Sequence, residues 1–159
     1  MKKALLLLLC AGAALALAAC GTRQEPVGGV QIANPFVEYG SLEEAARAAG
    51  FELAVPEAPE GYDETIIQVM DDSMIQVIYR SGDDRLLIRK AAGDEDISGD
   101  YNQYAESSTV SVNGADVTLR GDGGKISVAT WVRDGYTYAV DLDRPMAPEE
   151  LTALIGQIS

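Results

Sequence analysis

Between Thr65 and Leu142, apolar side chains return at every second position, in runs separated by short clusters of Gly, Asp and Ser. A period of two is the spacing of a strand that buries one face. Thr65, Ile67 and Val69 make one such row, Ile75, Val77 and Tyr79 a second, and Leu86 and Ile88 a third. Asp71-Asp72-Ser73 joins the first two runs and Ser81-Gly82-Asp83-Asp84 the second pair. Closing the latter loop over its four residues sets Tyr79 opposite Leu86 and Val77 opposite Ile88, so apolar stays with apolar. The spacing predicts a three-stranded meander.

Two more hairpins are predicted beyond an irregular stretch from Ala91 to Glu106. Asn113-Gly114 suits a type I′ turn, in which both central residues need positive φ. Pairing outward from it sets Val112 against Ala115, Val110 against Val117 and Ser108 against Leu119, with Ser111/Asp116 and Thr109/Thr118 on the other side. Gly121-Asp122-Gly123-Gly124 is another reversal. For the last hairpin, a loop made of Arg133, Asp134 and Gly135 would face Val132 with Tyr136, Thr130 with Tyr138, Val128 with Val140 and Ile126 with Leu142. That register gathers one apolar face and leaves Trp131 opposite it, with Ala129 and Ala139; closing on two residues instead would set Val132 against Thr137 and Val128 against Asp141.

Helical spacing appears only near the two ends of this region. Ser41-Leu42-Glu43-Glu44 reads as a capping box, with the Glu44 carboxylate returning to the Ser41 amide, and Leu42, Ala45, Ala46 and Ala49 form a stripe that ends at Gly50. Leu151, Leu154, Ile155 and Ile158 form a second stripe, opened by Pro148 and two glutamates that favour a helix N-terminus. Phe51 to Val55 reads as a short strand closed by Pro56. The expectation is an α+β fold: a single domain with an antiparallel β-sheet of about six to eight strands built from meanders, a short N-terminal helix and a C-terminal helix.

The first twenty residues follow none of these patterns. Lys2 and Lys3 precede an apolar run from Ala4 to Ala19, sixteen residues long and short of the roughly 20 that span a bilayer as a helix. The run ends in Leu17-Ala18-Ala19-Cys20, which resembles the lipobox of bacterial lipoproteins. On that reading residues 1–19 are a signal peptide, Cys20 is the acylated (diacylglyceryl, palmitate-type) N-terminus, residues 20–31 are the lipidated start and a tether, and 32–159 are the domain. The expected location is the cell membrane, lipid-anchored on the extracytoplasmic side. Two acyl chains hold a protein at a bilayer essentially permanently, each methylene contributing about 0.8 kcal/mol.

Composition narrows the chemistry. The chain has no histidine, and its second cysteine, Cys10, lies in the segment to be removed. Nucleophile–base pairs built on His or Cys are thereby excluded, and a zinc site would need carboxylates alone. With 12 basic against 25 acidic residues the net charge is −13, and every acid lies beyond Cys20. Such a surface repels nucleic acid, so the membrane partner is expected through the lipid alone.

Asn34-Pro35-Phe36, Leu42-Glu43-Glu44-Ala45, Ala49-Gly50-Phe51, Pro59-Glu60-Gly61-Tyr62, Ile97-Ser98-Gly99-Asp100-Tyr101-Asn102 and Trp131…Asp134-Gly135-Tyr136…Leu142 occur in this order. Together they resemble the DUF4367 family of secreted or membrane-attached bacterial domains of unknown function, over roughly Gln31 to Ser159. That family is more distantly similar to the LolA/RseB group, in which a curved antiparallel sheet can bind lipid or lipoprotein. The resemblance implies binding rather than chemistry, and supplies no catalytic residues.

The densest charged run is Asp94 to Asn102. Asp94, Asp96, Ser98, Asp100 and Asn102 stand at the odd positions of an EF-hand-like calcium loop with Gly99 at the sixth, but the twelfth position is Ala105 instead of a bidentate glutamate. A structural turn is the competing reading, and no metal or other cofactor is assigned. Asp71-Asp72 and Asp83-Asp84 read as turn residues, and Gly121 to Lys125 lacks the spacing of a phosphate loop. Trp131, Tyr101 and Tyr104 are the candidates for a ligand or partner surface. The expected function is a non-enzymatic binding or interaction domain for an envelope protein, peptide or apolar ligand. The alternatives are a carboxylate-dependent hydrolase, which needs two acids facing one another in a cleft, and a purely structural envelope lipoprotein.

Overall fold

The alternating runs become strands of one sheet. In the computed structural model residues 34–159 are described; the signal segment, Cys20 and the tether lie outside them. The elements are β1 (Phe36–Tyr39), α1 (Leu42–Ala49), β2 (Glu64–Met70), β3 (Met74–Ser81), β4 (Asp84–Ala92), β5 (Glu106–Val112), β6 (Ala115–Asp122), β7 (Lys125–Arg133), β8 (Tyr136–Met146) and α2 (Pro148–Ile155). All eight strands join one antiparallel sheet in the order β1-β2-β3-β4-β8-β7-β6-β5. The sheet is thus two four-stranded meanders whose last strands, β4 and β8, meet in the middle. The fold is α+β.

That strand order has a consequence for the chain between β4 and β5. β4 lies at the centre and β5 at an edge, so residues 93–105 must travel past β8, β7 and β6 to begin the second meander. They do so across one face of the sheet, here called outer. The helices lie on the other, inner face.

The inner face is the core. Ile75, Val77, Leu86, Ile88, Val117, Leu119 and Val140 are fully or almost fully buried there, against Ala45 of α1 and Leu151, Leu154 and Ile155 of α2. α1 begins where Ser41 Oγ accepts the Glu44 amide at 3.2 Å, and it ends at Gly50 in the left-handed conformation. The other half of the capping box is shifted by one residue: Glu44 Oε2 accepts the amide of Gly40, not of Ser41. α2 opens with Pro148 and has no side-chain cap at Ala147, so its three buried side chains carry its attachment.

The β3–β4 and β5–β6 registers agree with those read from the alternation, down to Tyr79/Leu86 and Val112/Ala115. The β7–β8 register differs. Arg133 pairs with Tyr136, Val132 with Thr137, Trp131 with Tyr138 and Val128 with Asp141. The loop closes on two residues, because Asp134 at φ 54° and Gly135 at φ 80° both enter the left-handed region that a type I′ turn requires. A slip of one residue turns every β7 side chain to the other face. Trp131 therefore joins Tyr138 and Val140 in the core, whereas Thr130 and Val132 face outward.

Ile126 nevertheless reaches the inner face as well, through an irregularity at which its partner becomes Met146. β6 has its own irregularity at Arg120/Gly121, where a Cβ on Gly121 would lie 1.9 Å from the Lys125 carbonyl oxygen. Glycine is required there by that close approach. One further expectation is corrected. Phe51 to Val55 forms no strand, only paired amide–carbonyl bonds between Ala54 and Ser159. β1, conversely, is a four-residue strand with no buried side chain and no apolar alternation of its own, added to the sheet by pairing with β2.

Candidate functional site

The outer face is organised around Arg89. In β4 the sequence Arg89-Lys90 sets two cations side by side, and neighbours in a strand point to opposite faces, so one of them has to face the core. Arg89 faces outward beneath the 93–105 crossover. Its Nη1 donates to the carbonyls of Ile97 and Ser98 at 2.9 and 3.0 Å, and its Nε donates to Gln76 Oε1 at 3.0 Å. Gln76 in turn donates to Gln68 at 2.6 Å. Burial, assisted by the like charge of Arg85, lowers the pKa of Arg89 from its ordinary value.

The crossover supplies the rest of its own framework. Asp96 Oδ1 accepts the Ser98 amide at 2.8 Å and Asp96 Oδ2 accepts Arg120 Nη2 at 3.1 Å. Burial pushes the Asp96 carboxyl upward, but the Ser98 hydrogen bonds and the Arg120 charge outweigh it and hold the pKa below the usual value. Ser98 Oγ accepts the Asp100 amide, Asp100 Oδ1 accepts the Asn102 amide, and Asp100 Oδ2 accepts the Tyr104 hydroxyl. Thr137 of β8 donates to the Glu95 carbonyl at 2.8 Å. Gly99 sits at φ 72°, and a Cβ there would come within 2.8 Å of Arg89 Nη1. Asp96, Ser98, Asp100 and Asn102 thus spend polar atoms on the loop's own turns, on Tyr104 and on Arg120. No group of three or more acidic side chains converges as a metal cluster among the described residues.

The structure separates the three aromatic candidates. Tyr101 is 96% exposed, on a strap fixed beneath by Arg89. Tyr104 is half-buried, and burial together with its bond to Asp100 raises the pKa of its hydroxyl. Both tyrosines line a cleft of about 330 Å³ shared with Arg85, Asp141 and Asp143. Trp131 is only 4% exposed and stacks on Tyr138, with ring planes 3° apart and centroids 5.1 Å apart. It is a core residue, not a contact surface.

The acids in the tyrosine cleft are tied to one cation. Arg85 Nη2 reaches Asp141 Oδ1 at 3.1 Å, while its Nε and backbone amide reach the two oxygens of Asp143 at 3.3 and 3.1 Å. Burial raises the pKa of Asp141 against the pull of Arg85, and Asp100 and Asp143 add to the rise.

Lys90, pointing inward, was not singled out by sequence patterns. It is only 8% exposed, donates from Nζ to the Glu52 carbonyl at 2.6 Å, and lies 4.7, 5.2 and 5.9 Å from the ring centroids of Tyr136, Tyr138 and Phe51. Three rings and a carbonyl stand in for water around the ammonium. The signal that could have found both cations is the adjacent charged pair inside an otherwise apolar central strand.

None of the described helices is long and apolar enough to cross a membrane. No protein-family model matches the chain, and no curated protein or solved structure matches it either.

Proposed function

We propose that this protein is a lipid-anchored extracytoplasmic lipoprotein, held through Cys20, whose domain is a non-enzymatic binding module that presents its outer face to a protein or peptide partner of the envelope. The observation that carries this reading is Tyr101, 96% exposed at the turn of a strap that a half-buried arginine, Arg89, holds in place. Tyrosine offers a large amphipathic contact at small entropic cost, and it is favoured where a rigid surface meets a partner. A strap already ordered by Arg89, Asp96 and Arg120 has less entropy to lose on binding. The lipobox-like tetrad and the resemblance to DUF4367 domains favour the same setting.

The test uses the full chain in its native envelope, with a photoreactive amino acid at position 101 and, as control, at Glu149 on α2. A discrete adduct from position 101 that is missing from position 149 is the expected result. Absence of any adduct from the strap would overturn the binding role at this surface. Lipidation is checked separately: an alkyne fatty acid should label the wild type and not Cys20→Ser.

A further inference from the structure

The two edges of the sheet are finished differently. β1 spans only Phe36–Tyr39, follows Pro35 directly and carries Glu38. Shortness, proline and charge are the features by which an outermost strand discourages further pairing. β5 spans Glu106–Val112, reads Glu-Ser-Ser-Thr-Val-Ser-Val, and pairs with β6 in unbroken register. No described strand lies on its other side, it contains neither proline nor lysine, and Glu106 to Thr109 are all exposed. Its outward amides and carbonyls form a template for one more strand.

We infer that this edge takes up an extended polypeptide segment in which apolar and basic side chains alternate. On the inner side, Val110 and Val112 are half-buried against the core, and the apolar row ends with them. A strand added about 4.8 Å further out would continue that row with every second side chain. On the outer side, Ser107, Thr109 and Ser111 are small, uncharged and exposed. Asp116, paired with Ser111, stands at the rim of a groove of about 480 Å³ that Asp94, Glu95 and Asp96 also line. Arg120 is already bound to one of these acids, Asp96.

Lysine or arginine on the outward side of the added strand has stems long enough to lean across β5 toward that acidic wall. The net charge of −13 favours approach of a basic segment and opposes an acidic one. A wholly polar segment would leave Val110 and Val112 uncovered.

Strand uptake at β5 presupposes the binding role proposed above, but not the contact at Tyr101. The full-length protein in detergent is titrated against a fluorescein-labelled probe peptide alternating Lys and Val, and anisotropy is followed at low salt. A Glu/Val probe of equal length should bind about tenfold more weakly or worse. Two further Lys/Val probes are N-methylated, one on every Val and the other on every Lys. Alternate amides of a strand point to opposite edges, so one of these probes should lose binding and the other keep it.

Asp116→Asn should weaken the Lys/Val probe a few-fold with the melting temperature unchanged. Equal binding of the two N-methylated probes would mean charge attraction without strand pairing and would overturn the assignment. So would a Lys/Val probe that binds no better than Glu/Val, or a dimer of the free chain abolished by Val110→Lys, which would give the edge to a second copy. Any of these failures leaves an adduct at Tyr101 standing, whereas loss of that adduct alone leaves the edge result intact.

Discussion

The two faces of the sheet are held by different physics. Inside, rows of Val, Leu and Ile meet two short helices, and the attraction is non-directional and proportional to the area hidden from water. Outside, a crossover with no regular structure lies on the sheet by directional bonds, chiefly those of Arg89, Arg120 and Thr137. A helix satisfies its own backbone and can be attached by apolar contact alone. The crossover cannot, so its carbonyls at Glu95, Ile97 and Ser98 find donors on the sheet. The inner face therefore supplies stability, and the outer one fixes the shape of the surface that carries Tyr101.

Substitutions separate the two. Leu151→Ala, on the inner side of α2 with no exposure, should have the largest effect. A loss of about 2–5 kcal/mol is expected in urea unfolding, spread over the whole domain. Arg89→Met keeps the volume but strips three acceptors of their donor, at about 2–3 kcal/mol. Here hydrogen exchange should quicken in residues 94–102 more than in the two helices of the inner face. Uniform quickening would mean that the two faces are not energetically distinct.

Gly99→Ala probes the same strap more gently. The left-handed backbone and the close approach to Arg89 together should cost about 1–2 kcal/mol, again with exchange rising locally. Tyr101→Ala should change stability by less than about 0.5 kcal/mol, since its side chain lies in solvent, yet remove the partner contact. A marked fall in melting temperature would make Tyr101 a structural residue instead.

The smallest expected effect is a pH dependence at Asp96. Its folded pKa lies below the unfolded value, so its contribution is present above the unfolded pKa and disappears as pH falls through the folded one. The stability difference between wild type and Asp96→Asn should accordingly be widest near neutral pH and close in the acid range below about 3.9. Because the carboxylate is half exposed, solvent screening keeps the difference small. Asp141 has the opposite sign: its raised pKa means that mild acid, protonating the folded state first, relieves strain at that position.

Much of this architecture is legible in the chain. Asn113-Gly114 dictates its hairpin because few other residues accept positive φ at both positions, and the Tyr79/Leu86 pairing follows from keeping one face dry. The β7–β8 hairpin shows where such reading stops. Two registers each gathered apolar partners, one placing Val128, Thr130 and Val132 with Tyr138 and Val140, the other Ala129 and Trp131. Both faces of the central strands are partly covered, so alternation alone could not choose between them. The left-handed pair Asp134-Gly135 and the bulge after Ile126 made the choice. Of the candidate site, Tyr101 and the turn at Ser98-Gly99 were visible in the sequence. Arg89 and Lys90 were not, because their partners are backbone carbonyls and rings from distant segments.

By itself, then, the sequence determined most of the local terms: that the alternating runs between Thr65 and Leu142 are strands, where the chain reverses, where α1 begins and ends, and that histidine and thiol chemistry are excluded from the domain. Those properties depend on neighbours within a few residues. Tertiary structure alone decided that β4 meets β8, that the connection to β5 consequently crosses the outer face, that Trp131 lies in the core, and that β5 is the last of the described strands at its edge of the sheet. Each of these depends on contacts between segments far apart in the chain, where many pairings satisfy the same alternation and only the packing of the whole sheet selects one.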